Sequence, residues 1–107
     1  MNIVYPQQAT YWGQPVPTGY GGHEFDIPEV IRCRWEQKTE EFIDKKGATK
    51  LSQAVVYVDQ DVEVGGYLYL GDTSEADPTA LKEALPIQRY AKVPDIRAVE
   101  YVRKVWL

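Results

Sequence analysis

Short stretches in which apolar and polar residues alternate recur along this chain of 107 residues, and turn-forming residues separate them. Residues 30–38 and 98–107 each alternate a more polar with a more apolar set of side chains. Residues 51–58 form a β-branched and aromatic run between two turns. A period of two is typical of a β-strand, because successive side chains of a strand point to opposite faces of the sheet. The chain is therefore predicted to be mainly β.

Turn residues join the predicted strands into two hairpins. The first hairpin pairs residues 30–38 with residues 51–58 and has a charged tip that begins at Asp44. The second pairs residues 62–64 with residues 67–70 through two glycines, which take up a positive φ without steric cost. Two more strands are expected near the end of the chain.

A single short helix is predicted at residues 77–84. Asp77 can accept from the first free amides of a helix, Pro78 suits the first helical position, and Pro86 ends the segment. Together these elements predict a small antiparallel β-barrel or sandwich with one short helix and an extended N-terminal arm. Closure into a barrel is the usual way to limit exposed sheet edges.

The first 28 residues are predicted to form this arm, which leaves residues 29–107 as the β-barrel domain. Four of the seven prolines and four of the eight glycines lie in residues 1–28 and interrupt regular structure there. The segment is also rich in aromatic residues, which a solvated linker does not keep. The arm is therefore expected to lie against a surface, either its own domain or a neighbouring subunit.

Aromatic side chains near the two ends of the chain are the predicted contacts with a subunit or a partner. Trp and Tyr are favoured where a large area must be buried at low entropic cost, which describes interfaces as well as cores. For Trp12 and Trp106 both interpretations stay open, whereas Trp35, in the middle of a predicted strand, is assigned to the core. The predicted interface residues are Tyr5, Tyr11, Trp12, Tyr20, Phe25 and Trp106.

Composition argues against several classes of protein. A net charge of −4 and a pI near 4.9 provide no large positive field to bind a phosphate backbone, so an ordinary nucleic-acid-binding protein is disfavoured. The longest apolar run, residues 54–58, is far shorter than the roughly 20 residues of a membrane-spanning helix, and no targeting segment is expected. The single cysteine, Cys33, cannot form an internal disulfide, and a buried structural role in a reducing cytosol is predicted for it.

The sequence offers little chemistry for catalysis. A structural zinc site needs four Cys or His ligands, and the chain has one residue of each type. The paired carboxylates lie in predicted turns, where they are expected to be solvated, and no serine lies in a nucleophile-elbow pattern. No enzymatic activity, catalytic residue, metal or cofactor is therefore predicted. An enzyme that combines carboxylates with His23 is kept only as a third hypothesis.

Several segments, which together span nearly the whole chain, resemble the small head–tail connector proteins of tailed phages. The resemblance is to the head-closure or stopper type, and it rests on the order and spacing of the segments rather than on a catalytic motif. The segments are Ala-Thr-Tyr-Trp-Gly at residues 9–13, Arg-Trp-Glu at residues 34–36, and residues 52–58, 65–71 and 102–107.

The resemblance implies a structural virion protein of the phage neck, assembled in the cytoplasm of the host bacterium. It implies a homo-oligomeric ring between the portal or adaptor protein and the tail or tail-terminator protein, which closes the DNA-filled head and docks the tail. Contact with packaged DNA is then passive at most, and no membrane is involved. An acidic subunit suits this role, because a negatively charged lumen offers phosphates no strong binding site.

Two loops are long enough to enter the channel of such a ring, residues 44–50 and residues 72–86. The sequence does not choose between them. The alternative hypothesis is a monomeric or dimeric β-barrel module that binds or regulates a protein partner through an exposed aromatic face. The candidate channel-facing residues are Asp44, Lys45, Lys46, Asp72, Glu75 and Asp77.

Overall fold

The computed structural model describes residues 5–19, 22–94 and 101–107. Within these residues the chain is built almost entirely from β-strands, which confirms the predicted fold class. The one helical element of the described chain is a 3-10 turn at Pro78–Ala80. The strands are β1 (Gln7–Trp12), β2 (Val16–Pro17), β3 (His23–Glu24), β4 (Glu29–Glu36), β5 (Glu41–Ile43), β6 (Thr49–Leu51), β7 (Val55–Val58), β8 (Tyr67–Leu70), β9 (Leu85–Pro86), β10 (Arg89–Pro94) and β11 (Tyr101–Trp106).

Seven of these strands form one antiparallel sheet in the order β10-β11-β7-β4-β1-β8-β9, which curls into a half-barrel. β2 with β3, and β5 with β6, form two small hairpins outside this sheet. The β5–β6 hairpin is inserted between β4 and β7, which pair with each other. The first predicted hairpin and its charged tip are therefore confirmed.

A two-residue link brings the opposite edges of the sheet together. β9 and β10 are the two edge strands, yet only Ile87 and Gln88 separate them, so at this point the edges are within about 11 Å of each other. The Ile87 carbonyl accepts from the Gly65 amide at 3.1 Å, and the Ile87 amide donates to the Gly66 carbonyl at 2.8 Å. On the other side, the Gln88 amide donates to the Trp106 carbonyl at 2.9 Å. The two edges thus meet at this link, but β9 and β10 do not pair with each other, so the sheet is a half-barrel with an open edge at β10.

The main core lies on the inner face of the sheet. Alternate side chains of β1, β4, β7, β8 and β11 meet there, and Val62, Ile87 and Leu107 from the connecting segments complete the cluster. Cys33 is fully buried in this core, which confirms its predicted structural role, and burial raises the pKa of its thiol to about 11.

Residues 7–12 are a central strand of the sheet rather than part of an arm. β1 pairs with β4 on one side and with β8 on the other, so that Ala9 lies opposite both Ile31 and Leu70. Most of the prolines and glycines that suggested an arm lie in residues 13–28, which leave the sheet after β1 and contain only the β2–β3 hairpin among the described residues. The barrel therefore begins at β1, not at residue 29.

The predicted second hairpin is not formed, because β8 has a different partner. Residues 62–64 are not a strand, and Tyr67–Leu70 pairs with β1 and β9 instead. Val62 is buried in the main core. A six-residue central strand gives β8 more hydrogen bonds and more apolar contact than three residues next to a tight turn can offer.

The predicted helix is reduced to one 3-10 turn. Its cap is as expected, since the Asp77 side chain accepts from the Thr79 amide at 2.9 Å. Leu81, however, already has extended backbone angles. An eight-residue helix has too few hydrogen bonds to offset the entropic cost of forming its first turn. The extended chain after Ala80 instead buries Ala84.

Candidate functional site

Residues 71–79 cover one half of the outer face of the sheet. The Thr10 hydroxyl donates to the Gly71 carbonyl at 2.9 Å and accepts from the Thr73 amide at 3.1 Å. The Trp12 indole Nε1 donates to the Glu75 carbonyl at 2.9 Å. We call this segment the acidic ridge, because Asp72, Glu75 and Asp77 are exposed along it and it contains no Lys or Arg.

The β5–β6 hairpin covers part of the other half of the outer face. Phe42 points inward and packs against Val55 and Trp106, with the two aromatic ring centroids 6.3 Å apart. Two polar contacts fix the hairpin from its sides. The Arg89 Nη1 donates to the Ile43 carbonyl at 2.7 Å, and the Trp106 Nε1 donates to the Glu40 carboxylate at 3.2 Å.

The Trp106 ring lies between these groups as the centre of a second, smaller core. The Lys104 ammonium is 4.9 Å from the ring centroid and the Arg89 guanidinium 5.6 Å, which are cation–π distances. Lys104 also donates to Glu40 at 2.6 Å, and this hydrogen bond is the main reason that the pKa of Glu40 is lowered. The hairpin is thus attached to the sheet by apolar, cation–π and ionic contacts together.

The predicted interface residues are distributed between core and surface. Tyr11, Trp12 and Trp106 are buried within their own domain, so they are core residues and not exposed contacts. Phe25 is half-buried and stacks edge-to-face on Tyr67, with ring centroids 5.6 Å apart. Tyr5 is half-buried and its carbonyl accepts from Arg32; Tyr20 lies outside the described residues.

The two predicted channel loops differ in how they are attached. In the β5–β6 tip, Asp44 accepts from the amides of Lys46 and Ala48 at 2.9 Å each, and its pKa is lowered chiefly by the Ala48 amide. Asp44 therefore builds the turn, and Lys45 and Lys46 are exposed on it. The residues Asp72, Glu75 and Asp77 belong instead to the acidic ridge, which is bonded down onto β1.

The β5–β6 hairpin also presents apolar side chains to solvent. Ile43 is 55% exposed and Leu51 is 65% exposed. Leu51 lies opposite Glu41, two residues from Ile43, so both point away from the face that carries Phe42. Apolar residues exposed together on a small attached hairpin are typical of a protein contact.

Between the two covers, the outer face of the sheet is basic and apolar. Side chains at alternate positions of β4, β7, β10 and β11 share this uncovered area, which contains Arg32 and Arg34. Two carboxylates border these arginines. The Asp59 amide donates to the Arg32 carbonyl at 3.3 Å, which places Asp59 opposite Arg32, and Glu36 is paired with Lys38 at 3.3 Å. Sequence analysis missed this area because the chain as a whole is acidic, although the alternation of Val30, Arg32 and Arg34 was its signal. We call this area the basic face; its residues are Val30, Arg32, Arg34, Tyr57, Val93 and Val102.

An ionic cluster holds the open edge of the barrel on its inner side. Asp61 accepts from the Tyr90 hydroxyl at 2.6 Å and from the Arg103 Nε at 2.9 Å, and Lys92 is 3.5 Å away. The Tyr90 hydrogen bond, followed by that of Arg103, lowers the pKa of Asp61 to about 2. Burial, followed by the hydrogen bond to Asp61, raises the pKa of Tyr90 to about 12. The cluster joins the turn after β7 to β10 and β11.

This cluster predicts a pH dependence of stability. An aspartate in an unfolded chain has a pKa of about 3.9, so the lower pKa in the fold makes its contribution complete above about pH 4 and lost as the pH falls towards 2. We expect Asp61→Asn to lower the free energy of unfolding at pH 7 and to change it little at pH 2. Tyr90→Phe, which removes one donor, should have a smaller effect at pH 7. Urea denaturation at both pH values measures this, and an equal loss at both would contradict it.

A groove of about 590 Å³ lies at the mouth formed by the ends of β4 and β8. Trp35, which was assigned to the core, is half-buried there, and its indole Nε1 donates to Gln37 at 3.1 Å. Tyr69, Leu70 and Leu85 form the apolar part of the wall. The mouth of the half-barrel is therefore lined rather than sealed by aromatic and aliphatic side chains.

His23 is exposed on β3 and shares a shallow cleft with Phe25, Tyr67 and Asp77. The Asp77 carboxylate is already bonded to the amide and the hydroxyl of Thr79, at 2.9 and 2.6 Å. Among residues 5–19, 22–94 and 101–107, no three or more His, Cys, Asp or Glu side chains are grouped so that they could hold a metal ion.

No family model matches this chain, and searches of curated proteins and of solved structures found no match either. In the described part of the chain, no helix combines the length and apolar character that crossing a bilayer requires.

Proposed function

We propose that this protein is a structural component of the tailed-phage neck, of the head-closure type. In this role it forms a ring between the portal or adaptor protein and the tail, closes the DNA-filled head and docks the tail. The proposal is supported by the resemblance of the segments described above. Its structural support is the β5–β6 hairpin, which presents Ile43 and Leu51 outward from a firmly attached base.

The hairpin is suited to contact another protein because its base is fixed while its outer side is not covered. The inward side chain, Phe42, is only 5% exposed, and Arg89 and Glu40 hold the flanks. A pre-ordered contact element loses little conformational entropy on binding, so more of its apolar burial appears as affinity. Ile43 and Leu51 are therefore the proposed contacts with a neighbouring subunit or ring.

The tip of the same hairpin is the better of the two candidates for a channel-facing loop. Lys45 and Lys46 are exposed at the turn, whereas the acidic ridge is used to cover Thr10 and Trp12. Two lysines on a chain with a net charge of −4 allow only weak contact with phosphates. Passive contact with passing DNA is the expected consequence.

Assembly is tested by light scattering over a wide range of concentrations, with electron microscopy of any ring-sized species. We expect Ile43→Lys and Leu51→Lys each to weaken assembly by about ten- to a hundredfold, because burying such a side chain contributes about 1.5–3 kcal/mol. Thermal stability should stay unchanged, since both side chains are exposed in the free subunit.

Ile27→Lys is the matched control, because Ile27 is 89% exposed outside the hairpin and its replacement makes the same change of side chain and charge as Ile43→Lys. Deletion of residues 1–28 is not a useful variant, since it removes the central strand β1. A protein that stays monomeric at all concentrations and does not bind isolated portal complexes would overturn the proposal and favour the binding-module hypothesis.

A further inference from the structure

The outer face of this protein carries two surfaces of opposite charge side by side. The acidic ridge lies over β1, and the basic face begins on the next strand, β4, where Val30 is the cross-strand partner of Thr10. The basic face contains two arginines, with Asp59 and Glu36 at its border, and residues 71–79 contain three carboxylates and no Lys or Arg. The arginines and the acidic ridge thus lie over different strands of the curled sheet.

We infer that the basic face binds the acidic ridge of a second copy of this chain, head to tail. This inference rests on the proposed ring and names the contact between its subunits. Because the ridge and the face lie over different strands of a curled sheet, one copy can offer its face to one neighbour and its ridge to another. Contacts of this kind continue from subunit to subunit and form a ring when the rotation closes.

The basic face has free binding capacity at its centre. Arg34 is exposed, and its guanidinium makes no hydrogen bond or ion pair with any residue that the structure describes. Arg32 is already oriented, because its guanidinium donates twice to the Tyr5 carbonyl, at 3.0 and 3.3 Å. Val30, which is 45% exposed, and Val93, which is 55% exposed, add apolar area on either side of the arginines.

The acidic ridge is rigid enough to act as the other half of the contact. Its backbone is bonded to Thr10 through Gly71 and Thr73, and to Trp12 through Glu75. Asp72 is exposed, and its carboxylate makes no hydrogen bond or ion pair with the described residues. The carboxylates of Glu75 and Asp77 accept hydrogen bonds within the ridge, so Asp72 is its free carboxylate, and the fixed backbone lets it meet an arginine with little loss of entropy. Arginine is the suitable partner because its planar donors match a carboxylate.

A charge-reversal cycle tests the contact. Arg34→Glu and Asp72→Lys should each weaken self-association by about tenfold, since each places like charges together. The double variant should recover most of the loss, because every interface then pairs opposite charges again, with the two signs exchanged. The association of the natural protein should also weaken as salt is raised. Sedimentation and light scattering report all of these changes.

Two reversals away from the contact serve as controls. Lys82→Glu lies beyond the 3-10 turn and Glu24→Lys on β3, and both residues are exposed. They change the net charge by the same amounts as the test variants, so they should leave association nearly unchanged. Equal unfolding temperatures of all variants show that only association has changed.

The outcomes separate this inference from the proposed function. If the protein associates but Arg34→Glu has no effect, the inference is overturned, while the ring remains testable with Ile43→Lys. If the protein stays monomeric and binds portal complexes through Arg34, the basic face has a different acidic partner and the second copy is excluded. If each single charge reversal weakens self-association and the double variant recovers it, the inference is supported.

Discussion

Replacing Trp12 by alanine should lower the free energy of unfolding by about 3–5 kcal/mol, the usual cost of removing a large buried aromatic side chain. Trp12 is fully buried, and its indole donates the hydrogen bond that holds Glu75. Domains of this size are stable by only about 5–15 kcal/mol, so the variant should be partly unfolded near 37 °C. Urea denaturation followed by fluorescence or circular dichroism measures the loss.

Two further variants separate packing from hydrogen bonding at Trp12. Trp12→Phe keeps an aromatic ring but cannot donate to the Glu75 carbonyl, so it should lose less than Trp12→Ala. Trp35→Ala removes the same type of side chain from the half-buried mouth of the barrel and should cost only about 1–2 kcal/mol. Equal losses at Trp12 and Trp35 would show that Trp12 is not a core residue.

The role of Trp12 shows where reasoning from the sequence reaches its limit. Prolines and glycines around residues 6–28 indicate broken structure, and they do interrupt the chain after β1. The six residues of β1 are too short and too aromatic to be told from an arm by local pattern alone. Their identity as a central strand depends on pairing with β4 and β8, which are far away in the sequence.

Elements set by local chemistry were predicted correctly. Most of the alternating segment 30–38 appears as β4, which pairs with β7, and the charged tip appears in the β5–β6 hairpin. The predicted strand 51–58 is divided, because Leu51 ends β6 and only Val55–Val58 forms β7. Asp77 caps its turn through the Thr79 amide, as the pattern Asp-Pro-Thr indicates. These features depend on neighbouring residues, whereas the lost second hairpin and the shortened helix depend on competition from distant partners.

Of the candidate surfaces, one depends on neighbouring residues and could be predicted, and the other depends on distant strands and could not. The basic tip with Lys45 and Lys46 is visible in the sequence, because a hairpin turn exposes its residues wherever the hairpin lies. The basic face is formed only when β4, β7, β10 and β11 are aligned, and the acidic balance of the whole chain conceals it. The net charge of the whole chain therefore does not predict the local charge of a surface when acidic and basic side chains lie on different surfaces.

Three parts of the barrel meet at Gly66: β1, the turn before β8 and the link between β9 and β10. Its amide donates to the Glu63 carbonyl at 3.1 Å, and its carbonyl accepts from the Ile87 amide at 2.8 Å, so it contacts both the turn before β8 and the link between β9 and β10. A Cβ at this position would collide with the backbone carbonyl of Trp12 and would lie 3.2 Å from the Glu63 carbonyl. Of the two glycines at which the sequence permits a positive φ without steric cost, only Gly65 has one, at 97°.

Gly66→Ala should therefore destabilise the protein by about 3 kcal/mol, near the upper end of what an added methyl group usually costs in a packed core. The colliding atoms are backbone, so β1 and the turn before β8 must move apart for the methyl group to fit. Gly22→Ala is the matched control, because its nearest atom, the Thr18 hydroxyl oxygen, is 3.6 Å away and its φ is not positive. That control should be neutral or stabilising by up to about 1 kcal/mol, since alanine restricts the unfolded chain. Urea midpoints at constant slope measure both variants, and a Gly66→Ala protein as stable as Gly22→Ala would mean that β1 does not pass against this turn.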